Sequence, residues 1–177
     1  MTASGALMRS PLDAVHRALG ATMVEFGGWE MPISYPSGTI DEHMACRHAA
    51  AMFDVSHLGT VRVTGERSID TLQRAFTNDL GKVAPGRAQY THLLDADDAS
   101  VLDDIIVWWH PREGDPADDG FDVMPNASNT DRVREAIGGD DITADRAVIA
   151  VQGPTARAVV RAVVPDAADV GRFRVAE

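Results

Sequence analysis

From Val61 onward, short apolar stretches change period again and again, and their order constrains the fold more than any single motif does. Val61 and Val63 alternate with polar residues, as a half-buried strand does. Ile69, Leu72 and Phe76 recur at helical spacing. Ala88–Leu94 and Val101–Trp109 read as strands joined by the polar turn Asp95–Ser100, and Phe121–Met124 as a shorter strand. Between them, His110–Gly120 is rich in Pro, Gly and Asp and reads as a surface loop. Thr130–Ile137 is a helix closed by Gly138-Gly139. Ala147–Val151 returns to strand, and Gly153-Pro154 opens a helix through Val164. This order predicts an α+β layer with an antiparallel sheet.

The N-terminal third is less regular. Ser10 can cap a first helix, Pro11 fits its first position, Gly20 can stop it, and Leu12, Val15 and Leu19 mark a buried face. Gly27, Gly28 and Pro32 make Val24–Tyr35 a shaped, aromatic-rich loop. Thr39 and Glu42 form a capping box for a second helix that runs to about Met52, and Phe53–Gly59 then breaks the periodicity. At the other end Phe173 and Val175 alternate with Arg172 and Arg174 as in a strand, with no partner in view. We therefore expect the natural chain to continue past Glu177.

Composition narrows the function classes. The chain has 177 residues and a formal net charge of -11, from 27 acidic and 16 basic residues. That excess argues against nucleic-acid backbone binding as the main activity. No apolar run is long enough to span a bilayer. Residues 1–8 lack the apolar centre of a secretory signal, so a cytoplasmic location is expected. Cys46 is the only cysteine, which excludes an internal disulfide and a cysteine metal cluster. The six histidines contain no i, i+4 pair, and we expect no metal site.

Several groups could carry chemistry. Asp103-Asp104 sits inside an otherwise apolar strand, so the two carboxylates point to opposite faces. One can face solvent while the other faces a cavity, where it needs a donor or a cation. An amine-bearing substrate would supply one; so would a backbone amide or an arginine. Phe53-Asp54-Val55-Ser56-His57 holds a Ser, a His and an Asp, but adjacency in sequence does not make a triad, and no nucleophile elbow surrounds Ser56. A turn held by side-chain hydrogen bonds accounts for it equally well. Trp29, after two glycines, can cover a flat ring or fill a core. Asn126, Ser128 and Asn129 follow a strand end and can rim a ligand site, or Asn129 can cap the next helix.

Taken in order, these segments resemble one family. Leu19 to Pro32, Glu42-His43, Arg47 and Phe53 to His57 are followed by Thr77-Asn78-Asp79, Pro85-Gly86 and Gln89-Tyr90. Asp103-Asp104, Asn126-Ala127 and Val151-Gln152-Gly153-Pro154 complete the series. The series is similar to the N-terminal half of the aminomethyltransferases, the T-proteins of glycine cleavage. The resemblance implies transfer of a one-carbon unit from the aminomethyl-lipoyl arm of the carrier H-protein to tetrahydrofolate, with release of ammonia. It implies a ferredoxin-like βαββαβ insert at residues 59–143. The insert would lie within a folate-binding domain split between 1–58 and 144–177 and incomplete here. By the same resemblance Asp104 is the catalytic carboxylate beside the folate nitrogens, acting electrostatically or as a general base. Tyr90 and Leu58 line the folate pocket, and Asn126 stands near its pterin and lipoyl end. In place of the family's Asn and Gly pair before the Asp pair, this chain has Asp95-Ala96-Asp97-Asp98-Ala99-Ser100. Further folate motifs of the family would lie past Glu177, so the isolated chain is expected not to turn over. The competing expectations are a folate-binding relative acting in RNA modification or iron-sulfur maintenance, the folate domain of a dimethylglycine or sarcosine oxidase, and a module that only docks a lipoyl carrier.

Overall fold

A computed structural model of the chain describes residues 6–111, 114 and 120–176. It is α+β and divides into two units, Met1–His57 with Ala144–Asp169, and Leu58–Thr143 with Val170–Glu177. The tail 170–177, grouped above with the first domain, thus counts with the second unit.

The second unit is built on a five-stranded antiparallel sheet. Its strands are β5 (Val61–Thr64), β6 (Arg87–Leu94), β7 (Val101–Trp109), β8 (Gly120–Met124) and β9 (Asp140–Asp141), in the order β6-β7-β8-β5-β9. Helix α3 (Ser68–Ala75) leaves β5, and helix α4 (Thr130–Ile137) leaves β8. Without β6 the remaining four strands have the split βαβ order of a ferredoxin-like sheet, and β6 extends it by one strand. One core face holds Val61, Val63, Leu93, Ile105, Val107, Phe121 and Val123 beneath Leu72 and Phe76 near α3 and Val133 and Ile137 of α4. Burying each such side chain fully contributes roughly 1.5–3 kcal/mol, so these residues define the stable part of the unit. Most of His110–Gly120 lies outside the described residues.

The turn between β6 and β7 bears on the site. Asp95 takes the amide of Asp97 at 2.8 Å, and Asp95 N–H donates to the Ser100 carbonyl at 2.8 Å. Ala99 has φ 58°, a left-handed conformation that suits glycine. A register shift follows at once, with Leu94 opposite Val101 and Leu93 opposite Asp103. Leu102 is the extra residue, and such a bulge re-aims the side chains next to it.

The tail is not an unpaired strand. Ala88 N–H donates to the Phe173 carbonyl at 3.0 Å, and Val175 N–H donates to the Gly86 carbonyl at 2.9 Å. It covers the outer edge of β6, and Phe173 adopts φ 54° to do so.

In the first unit several expectations are corrected. Val24–Tyr35 is not a loop but most of a hairpin, β2 (Thr22–Phe26) and β3 (Trp29–Ser34). The glycines occupy the two-residue turn, where both need positive φ (58° and 85°). Pro32 is tolerated because β1 (Met8–Arg9) pairs only with Trp29 and Glu30, leaving β3 an edge at Pro32. Helix α1 is Asp13–Ala18; Val15 and Leu19 are exposed, and His16 is the buried residue. Helix α2 (Thr39–His48) ends before Met52, and β4 (Ala51–Asp54) follows, pairing with β10 (Ile149–Gln152). Glu42 makes no capping box; its Oε1 accepts the Tyr35 amide at 2.7 Å and fixes the approach to α2. Helices α5 (Ala156–Val163) and α6 (Pro165–Asp169) complete the unit.

Candidate functional site

The strand parity of β7 separates the two carboxylates. Asp103, Ile105, Val107 and Trp109 are buried and share the core face. Asp104, Ile106 and Trp108 share the opposite face, where Asp104 is exposed. Tyr90 lies across from Ile106 and His92 across from Asp104, so all of these residues share one sheet face.

Asp103 is 4% exposed, and every donor it needs comes from the segment after β8. Its Oδ2 accepts the Asn126 amide at 3.0 Å; its Oδ1 accepts Asn126 Nδ2 at 2.8 Å and Asn129 Nδ2 at 2.9 Å. Asn126 Nδ2 also donates to Asp104 Oδ1 at 3.0 Å. Only the NH2 end of a carboxamide can sit between two carboxylates, which settles the orientation of Asn126. Asn129 is spent on Asp103 and on the Leu102 carbonyl at 3.2 Å, and makes no side-chain helix cap. Asp103 is therefore the structural member of the pair, and Asp104 is the one that can meet a ligand.

Tyr90 is 58% exposed and meets Phe173 edge to face, with ring centroids 6.0 Å apart. Arg172 lies over the Phe173 ring at 4.8 Å. Phe173 escaped the sequence reading as a site residue, because its contact with Tyr90 exists only once the tail pairs with β6. Leu58 is half-buried beside Gly59, whose amide donates to the Pro125 carbonyl at 3.0 Å. A side chain at 59 would meet Thr130 Oγ1 at 2.3 Å and Pro125 Cγ at 2.7 Å. This close approach brings the backbone beside Leu58 against the segment that carries Asn126.

In the first unit the Asp54-Val55-Ser56-His57 run forms a buried polar network, not a triad. Asp54 accepts from Ser10 Oγ, from Ser56 Oγ at 2.5 Å and from the Ser56 amide at 2.9 Å, and meets His16 Nε2 at 2.8 Å. His16 Nδ1 meets Tyr35 Oη at 2.8 Å, and Ser56 Oγ accepts the Val148 amide at 2.9 Å. Ser56 Oγ is thus committed to Asp54 and cannot serve as a nucleophile paired with His57. His57 packs edge to face on Phe26 at 5.2 Å. Sequence reading missed Ser10, His16 and Tyr35, which lie 44, 38 and 19 residues from their partners in these bonds.

These environments predict a pH dependence. Burial raises the Asp54 carboxyl, but the hydrogen bonds from Ser10, Ser56 and His16 outweigh it and hold it below its ordinary 3.8. Burial pushes His57 below its ordinary 6.5, with Asp54 opposing. As pH falls past 6.5, the unfolded chain protonates at His57 before the folded one, so stability declines. The Asp54 contribution is present above 3.8 and is lost as pH falls through its lower folded value. Urea midpoints should therefore hold near pH 7–8, fall below 6.5 and fall again below 3.8. In His57→Phe the part of the first decline due to His57 should vanish; an unchanged profile would remove His57 from the account.

Cys46 is a half-buried free thiol, 3.9 Å from the Gln152 carbonyl. Among the described residues no group of three or more His, Cys, Asp or Glu is arranged to hold a metal, and no helix is long and apolar enough to cross a membrane.

Fold and site together define a two-unit α+β protein with a carboxylate and an aromatic pair on one face of an antiparallel sheet. The model of the GCVT N-terminal domain family matches residues 12–176, and the chain belongs to that family. It is 44% identical over 164 residues to the aminomethyltransferase of Mycobacterium tuberculosis, covering 88% of this chain and 42% of that protein. It is 42% identical over 166 residues to that of a Parafrankia species, covering 89% and 44%. A crystal structure of glycine cleavage system aminomethyltransferase T from Bartonella henselae superposes with a TM-score of 0.72 at 28% identity, covering 88% of this chain and 43% of that one. The chain thus spans less than half the length of these relatives.

Proposed function

We propose that this chain carries part of the active site of a cytoplasmic aminomethyltransferase. Its reaction moves the one-carbon unit of an aminomethyl-lipoyl H-protein to tetrahydrofolate and releases ammonia. The observation that carries the proposal is Asp104, exposed on a sheet face, with Oδ1 held by Asn126 and with Tyr90 on the same face. A pterin is flat and rich in N–H groups. The ring of Tyr90 and the side chain of Ile106 offer a wall for it, and Asp104 accepts from a ring nitrogen. Positive charge builds on that nitrogen as it attacks the aminomethyl carbon, and a fixed carboxylate stabilises it or takes the proton. Asn126 keeps the carboxylate in place, and Leu58 closes the pocket wall. On this reading residues 59–143 form an insert, joined by the tail 170–177, in a first domain made of 1–58 and 144–169.

The test is tetrahydrofolate-dependent ammonia release from lipoylated carrier. It uses the 177-residue chain and a hybrid in which residues 12–176 replace the matching segment of the Mycobacterium tuberculosis relative. The hybrid is expected to turn over. A well-folded hybrid that binds carrier but ignores tetrahydrofolate would overturn the proposal. Within the hybrid, Tyr90→Ala should raise the KM for tetrahydrofolate roughly tenfold, the scale of one lost aromatic contact of about 1–1.5 kcal/mol, and leave carrier docking unchanged. Equal losses in both would reduce Tyr90 to a packing residue.

A further inference from the structure

Asp103 is fully committed to hydrogen bonds, yet one of its donors is shared with the residue that faces the ligand. Asn126 Nδ2 reaches Asp103 Oδ1 at 2.8 Å and Asp104 Oδ1 at 3.0 Å. Asn129 Nδ2 shares Asp103 Oδ1 with that carboxamide, and the Asn126 backbone amide holds Asp103 Oδ2. Asp104 Oδ1 is thus tied through one carboxamide to a buried carboxylate on the opposite face of the same strand, while Asp104 Oδ2 accepts no hydrogen bond among the described residues.

We infer that Asp103 is a positioning residue: it locks the Asn126 carboxamide, and through that carboxamide it holds Asp104 in one rotamer with Oδ2 aimed off the sheet face. The inference rests on the reading of Asp104 as the ligand-facing carboxylate. Three N–H donors from two asparagines converge on Asp103. An asparagine at 103 has one acceptor oxygen; with that oxygen on the two carboxamides, its NH2 group faces the Asn126 backbone amide, donor against donor. That repulsion pushes the Asn126 segment off, and Asp104 loses the donor that fixes it. A short exposed side chain without such a bond averages over its staggered rotamers. The bulge at Leu102 lies directly beside the pair: Asp103 and Asp104 stand opposite Leu93 and His92, and the register shifts at the next residue.

The experiment is NMR on the 177-residue chain without ligand. In the parent chain the Asn126 side-chain amide protons should exchange slowly, and the Hα–Hβ couplings of Asp104 should report one rotamer. In Asp103→Asn both amide protons should exchange roughly ten- to a hundredfold faster, the factor for losing a hydrogen bond to a charged acceptor, and the Asp104 couplings should average. Asp104→Ala, which leaves no acceptor at 104, should free only one amide proton. If Asp103→Asn fails to fold, Asn126→Ala serves instead; it leaves Asp103 the Asn126 backbone amide and Asn129, and Asp104 should still average. A single Asp104 rotamer in a folded Asp103→Asn or Asn126→Ala chain would overturn the inference, since a merely structural Asp103 leaves Asp104 unmoved. Tetrahydrofolate separates the two ideas. Because the chain spans less than half the length of its relatives, it is added to the hybrid: binding that weakens in Asp104→Asn supports the folate reading, and unchanged binding counts against it, while the rotamer result in the 177-residue chain still judges Asp103.

Discussion

Asp104→Asn is expected to lower tetrahydrofolate-dependent ammonia release by the hybrid enzyme at least roughly a hundredfold, the scale for removing one preorganised electrostatic group. The urea midpoint should hardly move. Asparagine has the same shape, its oxygen can still accept from Asn126 Nδ2, and the side chain is exposed. What changes is the other atom: an NH2 group replaces the free oxygen, and the charge is gone. The loss should fall on turnover more than on the KM for carrier, because the lost interaction strengthens as charge develops on the folate nitrogen. Asp103→Asn should differ in kind, with loss of stability accompanying loss of rate, since a buried acceptor of three hydrogen bonds is altered. An Asp104→Asn hybrid with near-parental turnover would end the assignment of Asp104.

The other large effect is on stability. Asp54→Ala should cost about 3–5 kcal/mol, because several buried donors lose their acceptor at once, at about 1–3 kcal/mol apiece. The Asp54 side chain is 1% exposed and serves Ser10, His16 and Ser56 at once. Removing it strands two hydroxyls, a ring nitrogen and a backbone amide. It also uncouples β4 from α1 and from the end of β3, which Tyr35 ties in through His16. His57→Ala, three residues away, should cost far less, because among the described residues His57 packs its ring on Phe26 and makes no hydrogen bond through Nδ1. Urea denaturation of the three proteins decides the point. If Asp54→Ala were as mild as His57→Ala, the network would be incidental to the fold.

Local patterns settled the elements of the second unit. Leu72 with Phe76, and Val133 with Ile137, mark helix faces that the structure buries, because period and burial are linked through short-range geometry. The α+β class followed from their order alone, and the family from motif order along the chain. Sequence failed where a residue's conformation depends on a distant partner. Gly27-Gly28 and Pro32 looked like breakers, yet they form a turn and an edge position, and that distinction requires β2, β3 and the two-residue β1 to meet. Val101–Trp109 was legible as a strand, but not which carboxylate faced the core. Its apolar residues lie on both faces, and the bulge at Leu102 sets the parity through pairing with β6. The tail after Gly171 alternated like a strand, but its partner was the edge of β6, more than eighty residues earlier in the chain. The same holds for the site. A sequence names two aspartates and an asparagine; only tertiary structure brings the Asn126 carboxamide between Asp103 and Asp104, because that contact spans more than twenty residues and depends on β7 and β8 being neighbours in the sheet.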